Sequence, residues 1–219
     1  MDFSLATIVL WAVPVVFAIT LHEAAHGYVA RMFGDQTAWM LGRVTLNPIK
    51  HIDPIGTILV PGMLVAVGAP FVVGWAKPVP VNFGNLRNPK RDMFWVAGAG
   101  PLANFVMAVG WGLILKAARS AGPEASDALF RMSDVMRMAD AGVQINLMLM
   151  ALNLLPILPL DGGRIAVSLL PRGLAASYAR LEPYGFMVVI ILLATGILSD
   201  LMRPILRIAE YALGLVLGL

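Results

Sequence analysis

The chain has 219 residues, of which 59% are hydrophobic and 13% are charged, and its mean hydropathy is +0.80. Soluble domains carry about a quarter of charged residues, so the composition excludes an ordinary water-soluble protein and predicts a membrane protein. The net charge of +3 does not indicate nucleic-acid binding, because the basic residues are scattered between apolar runs. The absence of cysteine excludes disulfides and thiolate metal ligands.

The first apolar run, residues 4–30, is long enough to span a bilayer and contains LHEAAHG at residues 21–27. His22 and His26 are four residues apart, so on a helix both imidazoles point to one place. Ionisable groups in hydrocarbon are costly unless they are satisfied, which predicts a bound metal ion. Glu23 can reach a water held by that ion, the arrangement of HExxH zinc peptidases in which the glutamate is the general base.

The basic residues that follow the first run predict a cytoplasmic loop and an external amino terminus, because positive loops face the cytoplasm. These residues are Arg31, Arg43 and Lys50. Within this loop, residues 38–44 predict a short strand.

Residues 55–75 are apolar and long enough to cross, but several prolines and glycines interrupt them. A crossing here would place the next basic residues outside, against the charge rule. We therefore expect a re-entrant or partly inserted segment, with the following loop in the cytoplasm. That loop carries Lys77, Arg87, Lys90 and Arg91.

This topology indicates which residue is the third metal ligand. An outward span at 93–117, an external loop at 120–140 and an inward span at 141–160 bring Asp161 to the cytoplasmic side, at the depth of the two histidines. Had residues 55–75 crossed, Asp161 would lie at the opposite face, about 30 Å away. The alternatives are that Asp161 is only a turn residue before Gly162, or that His51 is the third ligand.

Pro156 and Pro159 interrupt helical hydrogen bonding near Asn153, and the freed backbone either pairs with an extended substrate or simply ends a helix. The side chain of Asn153 could itself form hydrogen bonds with the backbone groups that the prolines leave unpaired. Asn104 lies among glycines in an apolar run, and we expect it to form hydrogen bonds between helices rather than to act in catalysis.

The carboxy-terminal part predicts an outward span at 184–198 and a segment at 204–219 that returns or lies along the surface. Together these segments predict an all-α polytopic membrane protein with about five to six transmembrane or re-entrant segments and a small cytoplasmic-side β element. We expect one domain over residues 1–219, with a catalytic core at about 4–164 and carboxy-terminal helices at about 184–219.

Four stretches together resemble the site-2 protease family of intramembrane zinc metalloproteases: HEAAH at 22–26, GWAKPVPVN at 74–82, AGPLAN at 99–104 and NLLPILPLDGG at 153–163. The resemblance implies that His22, His26 and Asp161 bind one zinc ion and that Glu23 activates the water. It also suggests that Asn153 holds the substrate or the oxyanion. A PDZ domain or a CBS pair is not seen, so we expect a minimal, core-only member.

By the same resemblance, the expected substrates are single-span membrane proteins such as anti-sigma factors, tethered transcription regulators or signal-peptide remnants. The expected location is the lipid bilayer of the bacterial inner membrane, with the active site toward the cytoplasm. The alternative is a zinc transporter or sensor, in which Glu23 would be a ligand rather than a base. A non-catalytic scaffold is a third possibility, disfavoured by the intact residue set.

Overall fold

The computed structural model describes residues 5–68, 74–121 and 132–218, and within them the regular elements are all helices. The all-α prediction is therefore confirmed for these residues. The helices are α1 (Leu5–Met32), α2 (Thr37–Met40), α3 (Val60–Ala66), α4 (Pro89–Ala121), α5 (Met132–Asn153), α6 (Asp161–Leu169), α7 (Arg172–Ala179), α8 (Glu182–Ala194) and α9 (Ile197–Leu217). Short 3₁₀ turns at Pro48–Lys50 and Phe83–Asn85 and a π-helical turn at Pro54–Leu59 complete the elements.

Helices α1, α4 and α5 pack against one another and form the centre of the fold. The buried side of α4 is rich in small residues, including Ala97, Gly100 and Ala108, which allow neighbouring helix backbones to approach closely. On its other side α9 joins α4 and α5 around an apolar cluster. The buried members of that cluster are Ala108, Leu147, Met150, Ala209, Leu213 and Leu217.

Two helices in the described part of the chain are long and apolar enough to cross a membrane, Pro89–Ala121 and Met132–Asn153. A third crossing results if α7 and α8, which meet at a bend of 65°, count as one. The prediction of five to six transmembrane or re-entrant segments is therefore not confirmed in the described residues.

Residues 55–75 begin and end at the same place, as a re-entrant segment requires. The amide of Trp75 donates to the carbonyl of Gly56 at 3.0 Å, and the Thr57 hydroxyl donates to the carbonyl of Trp75 at 2.8 Å. A crossing segment would separate these residues by the thickness of the hydrocarbon core, about 30 Å. The middle of this segment, residues 69–73, lies outside the described residues.

The strand predicted at residues 38–44 is wrong, and with it the β element, as far as the described residues go. Helix α2 occupies Thr37–Met40 instead. The carboxylate of Asp35 accepts hydrogen bonds from the amide and the hydroxyl of Thr37, which starts the helical turn. Gly42, at φ +62°, then reverses the chain in the left-handed region. Local hydrogen bonding therefore overrides the apolar, strand-like composition.

The loop predicted at 120–140 is shorter than expected, because α4 continues to Ala121 and α5 begins at Met132. Its central residues, 122–131, lie outside the described residues. Residues 1–4 and 219 also lie outside them, so the predicted segments 4–30 and 204–219 are each described except for their outermost residue. The span predicted at 141–160 is helical only to Asn153, after which residues 154–160 form a loop that leads into α6. The segment predicted from 204 begins earlier, as α9 at Ile197.

Candidate metal centre

His22, His26 and Asp161 lie together although the aspartate is 135 positions after the second histidine in the sequence. Nε2 of His22 is 3.2 Å from Oδ2 of Asp161, and Nε2 of His26 is 3.3 Å from Oδ1. The two Nε2 atoms are 3.1 Å apart. The three side chains are 10–15% exposed, so the group is a largely buried, compact cluster of potential metal ligands.

The other ring nitrogen of each histidine is held by an acceptor. Nδ1 of His26 donates to the carbonyl of Val96 at 2.7 Å, and Nδ1 of His22 donates to Oδ1 of Asn104 at 2.6 Å. A neutral imidazole carries one N–H, so both Nε2 atoms present lone pairs to the carboxylate of Asp161. Lone pairs facing one another repel, and a cation between them removes that repulsion.

Three observations show that these residues fit a zinc ion. Ligands bound tetrahedrally at about 2.0 Å lie about 3.3 Å from one another, and each Nε2 atom lies 3.1–3.3 Å from the other Nε2 and from one of the two oxygens of Asp161. Oδ2 of Asp161 is buried without a hydrogen-bond partner among the described residues. A Cβ added to Gly100 would lie 2.5 Å from Cε1 and 2.6 Å from Nε2 of His22. Only glycine at this position therefore allows the two imidazoles to stay where they are.

Asn104 is a functional candidate whose role the sequence did not reveal. The predicted interhelical hydrogen bonds are present, because its Nδ2 donates to Oδ1 of Asn146 on α5 at 2.9 Å and to the carbonyl of Ala18 on α1 at 3.3 Å. These bonds leave Oδ1 as the acceptor for His22, so Asn104 also fixes the orientation and tautomer of an imidazole in the cluster. Its place in AGPLAN was the available signal, but the partner lies 82 residues away.

Asp161 directly follows a tightly packed loop at residues 154–160, which fixes its position. Side chains at Gly162 and Gly163 would overlap the backbone of residues 154–158, so both glycines let α6 start directly beneath the loop. The hydroxyl of Tyr178 donates to the carbonyl of Pro156 at 2.5 Å and fixes the loop from α7. A side chain at Gly185 would overlap the carbonyl of Leu158, which shows that α8 also presses on it. Asp161 is thus the first residue of α6 and lies within the cluster.

A cavity of about 360 Å³ opens beside the cluster and is lined by Glu23, Asn153 and Arg164 as well as by apolar side chains. Oε2 of Glu23 accepts a hydrogen bond from the amide of Val79 at 2.7 Å. Arg164 forms an ion pair with Glu182 of α8. All four predicted metal and base residues thus border one cavity.

The remaining candidates have simpler surroundings. Asn153 donates from Nδ2 to the carbonyl of Leu149, one turn back on its own helix, at 3.0 Å. An amide has two N–H donors, so this bond leaves one for a ligand in the cavity. His51, the alternative third ligand, donates from Nε2 to the carbonyl of Thr45 at 3.0 Å and does not belong to the cluster.

The sequence matches Peptidase family M50 over residues 119–196, which include Asp161 but not the histidines. It is 40% identical over 195 residues to "Putative zinc metalloprotease YwhC" of Bacillus subtilis (strain 168), an alignment that covers 89% of this chain and 84% of the relative. The chain belongs to peptidase family M50. This M50 chain is thus a zinc metalloprotease of the site-2 protease family, as its sequence motifs predicted.

Longer M50 relatives match as well. "Putative zinc metalloprotease Rip2" of Mycolicibacterium smegmatis is 32% identical over 183 residues, which cover 83% of this chain and 65% of that protein. The protein of the same name from Mycobacterium tuberculosis (strain H37Rv) is 30% identical over 171 residues, which cover 76% of this chain and 54% of that protein. The chain therefore spans between half and two thirds of the Rip2 proteins. No solved structure matches the chain.

Proposed function

We propose that this M50 metalloprotease cleaves single-span membrane proteins within or near the bilayer, with His22, His26 and Asp161 as its zinc ligands. The observation that carries the proposal is the buried cluster of two outward-held imidazoles and one carboxylate, separated by 3.1–3.3 Å. Such a set of three protein ligands is typical of a catalytic zinc site, in which the fourth position stays open.

Glu23 is the proposed general base. Zinc held in this site would polarise the scissile carbonyl and lower the pKa of water toward neutrality. Glu23 takes the proton of the attacking water and later passes it to the leaving amine. Its Oε2 accepts from the Val79 amide, so its other oxygen is available for that proton. Asn153, through its second amide N–H, holds the substrate carbonyl as negative charge develops there.

The size of the cavity bears on the form of the substrate. A cavity of about 360 Å³ is at the small end of pockets for drug-sized ligands, whereas an α-helix with side chains is about 10 Å across. A helical substrate must therefore unwind before its scissile carbonyl reaches the cluster of His22, His26 and Asp161. In the loop at residues 154–160 the amides of Leu154, Leu155, Ile157 and Leu160 donate within the chain. Two prolines of this loop have no amide hydrogen, so among the hydrogen bonds between described residues only the amide of Leu158 is left to pair with an extended substrate.

The proposed location is the bacterial inner membrane, with the metal centre toward the cytoplasm. Basic residues follow α1 and precede α4, as expected for loops on the positive side of the bilayer. The proposed substrates are anti-sigma factors, tethered transcription regulators or signal-peptide remnants, all of which supply a single membrane-spanning segment.

The test uses the purified chain in liposomes with a single-span substrate, and compares the parent with Glu23→Gln. We expect zinc-dependent cleavage by the parent, and loss of cleavage with zinc retained in Glu23→Gln. Loss of zinc from this variant would instead make Glu23 a ligand and favour a transporter or sensor. Proteoliposome zinc uptake, measured in parallel, should stay at the level of empty liposomes.

A further inference from the structure

Residues 74–82 form an extended segment that passes along α1 and is tied down at both ends. We call it the strap. Toward its start, the amide of Lys77 donates to the carbonyl of His51 at 2.9 Å. At its far end, the amide of Asn82 donates to Oδ2 of the buried Asp35 at 2.7 Å. Between these points Arg43 donates to the carbonyls of Lys77 and Pro78. The middle of the strap is therefore held in a fixed position over α1.

The middle of the strap offers a single backbone donor. Val79 lies between Pro78 and Pro80, which have no amide hydrogen. Its N–H donates to Oε2 of Glu23 at 2.7 Å, across 56 residues of chain. Hydrogen bonds to a carboxylate are among the stronger ones in proteins, so this bond restricts the rotamer of Glu23.

The strap approaches α1 closely because residue 27 has no side chain. Gly27 is buried and lies one helical turn after Glu23, on the same face. A Cβ there would lie 2.7 Å from Cγ2 of Val44 and 3.0 Å from Cγ1 of Val79. Both are ends of stiff β-branched side chains, so an added methyl group would push the strap away from the helix.

We propose that Gly27 and Val79 are positioning residues that aim the carboxylate of Glu23. Gly27 makes the space into which Val79 packs, and the packed Val79 places its amide on Oε2 of Glu23. Helix α1 thus carries two i,i+4 pairs side by side. His22 and His26 belong to the proposed metal site, while Glu23 and Gly27 contact the strap. The proposal rests on Glu23 acting as the base of the proposed function.

The first readout is independent of activity. Because Pro78 and Pro80 contribute no amide, hydrogen–deuterium exchange at Val79 is read without signal from its immediate neighbours. We expect this amide to be protected in the parent and to exchange about tenfold faster or more in Glu23→Ala, which removes the acceptor without creating a clash. Equal exchange in the parent and in Glu23→Ala would overturn the proposed contact.

The second readout is catalytic and uses Gly27→Ala. We expect kcat to fall about 10²-fold, because a shift of about 1 Å at the base is enough for such a loss. KM and zinc content should stay near the parental values, and exchange at Val79 should rise as in Glu23→Ala. Gly98→Ala on α4 is the matched control, since a Cβ there meets nothing within 4 Å, and it should behave as the parent does.

Rescue separates positioning from general destabilisation. Val44→Ala removes the closest obstructing methyl group, so Gly27→Ala/Val44→Ala should recover at least about tenfold of the lost kcat and part of the protection of Val79. Parental kcat in Gly27→Ala, or a double variant no better than Gly27→Ala, would overturn the positioning role. A fully zinc-loaded parent that cleaves nothing would overturn the proposed function instead, and exchange at Val79 would still test the contact.

Discussion

Gly100 provides the sharpest structural test of the metal centre, because it lies against the two proposed histidine ligands from a different helix without contributing a ligand itself. In Gly100→Ala the new Cβ would lie 2.5 Å from Cε1 and 2.6 Å from Nε2 of His22, and closer still to Nε2 of His26. Non-bonded carbon contacts are optimal at about 3.5–4.0 Å, so the rings must move by about 1 Å. Neither imidazole can then face Asp161 as it does now.

We expect zinc affinity to fall at least about 10- to 100-fold in Gly100→Ala, the loss typical of disturbed ligand support. Competition with a fluorescent zinc chelator measures the affinity, and a peptide-cleavage assay should show a parallel loss at limiting zinc. Gly98→Ala, two residues earlier on the same helix with open space around it, controls for the helix-stabilising effect of alanine. Parental zinc affinity in Gly100→Ala would refute the placement of the two imidazoles.

Three further predictions concern residues around the cluster. Asn104→Ala removes the acceptor of His22 Nδ1 and should weaken zinc binding about 10- to 100-fold; unchanged affinity would exclude an orienting role. Gly185→Ala would push α8 off the carbonyl of Leu158, and should lower thermal stability in detergent by at least as much as overpacking usually does, about 1–3 kcal/mol; an unchanged melting temperature would contradict that packing. Burial alone would raise the pKa of Asp35, but hydrogen bonds from Thr37, Asn82 and Asn85 outweigh it and lower the pKa below its ordinary value of 3.8. The stability that Asp35 contributes is therefore present above that value and is lost as the pH falls below it, so the stability difference between the parent and Asp35→Asn should be constant above about pH 5 and shrink at lower pH; a difference that stays constant below pH 3.8 would contradict the assignment.

The parts of the site that the sequence predicts are those fixed by local geometry or by membrane depth. The spacing of His22 and His26 determines their common face on any helix, so no tertiary information is needed. Asp161 follows from topology, because loops of one charge sign lie on one side of the bilayer. The return of residues 55–75 to their starting point follows from the same argument, and Trp75 and Gly56 do meet.

The parts that the sequence does not predict depend on contacts between distant segments. The bond from Asn104 to His22 and the bond from Val79 to Glu23 join residues 82 and 56 positions apart. Neither partner carries a sequence signal that names the other. The erroneous strand at 38–44 has the opposite cause, because Asp35 and Thr37 close a helical turn that the composition of the segment does not indicate.

The most direct test of the metal centre is the zinc content of the detergent-purified parent and of its Glu23→Ala, His22→Ala and Asp161→Ala variants. With His22, His26 and Asp161 as ligands and Glu23 as the base, the parent and Glu23→Ala should each hold about one zinc ion per chain, and the other two variants should lose it. Zinc retained at the parental level in Asp161→Ala would contradict this ligand set and point to another third ligand.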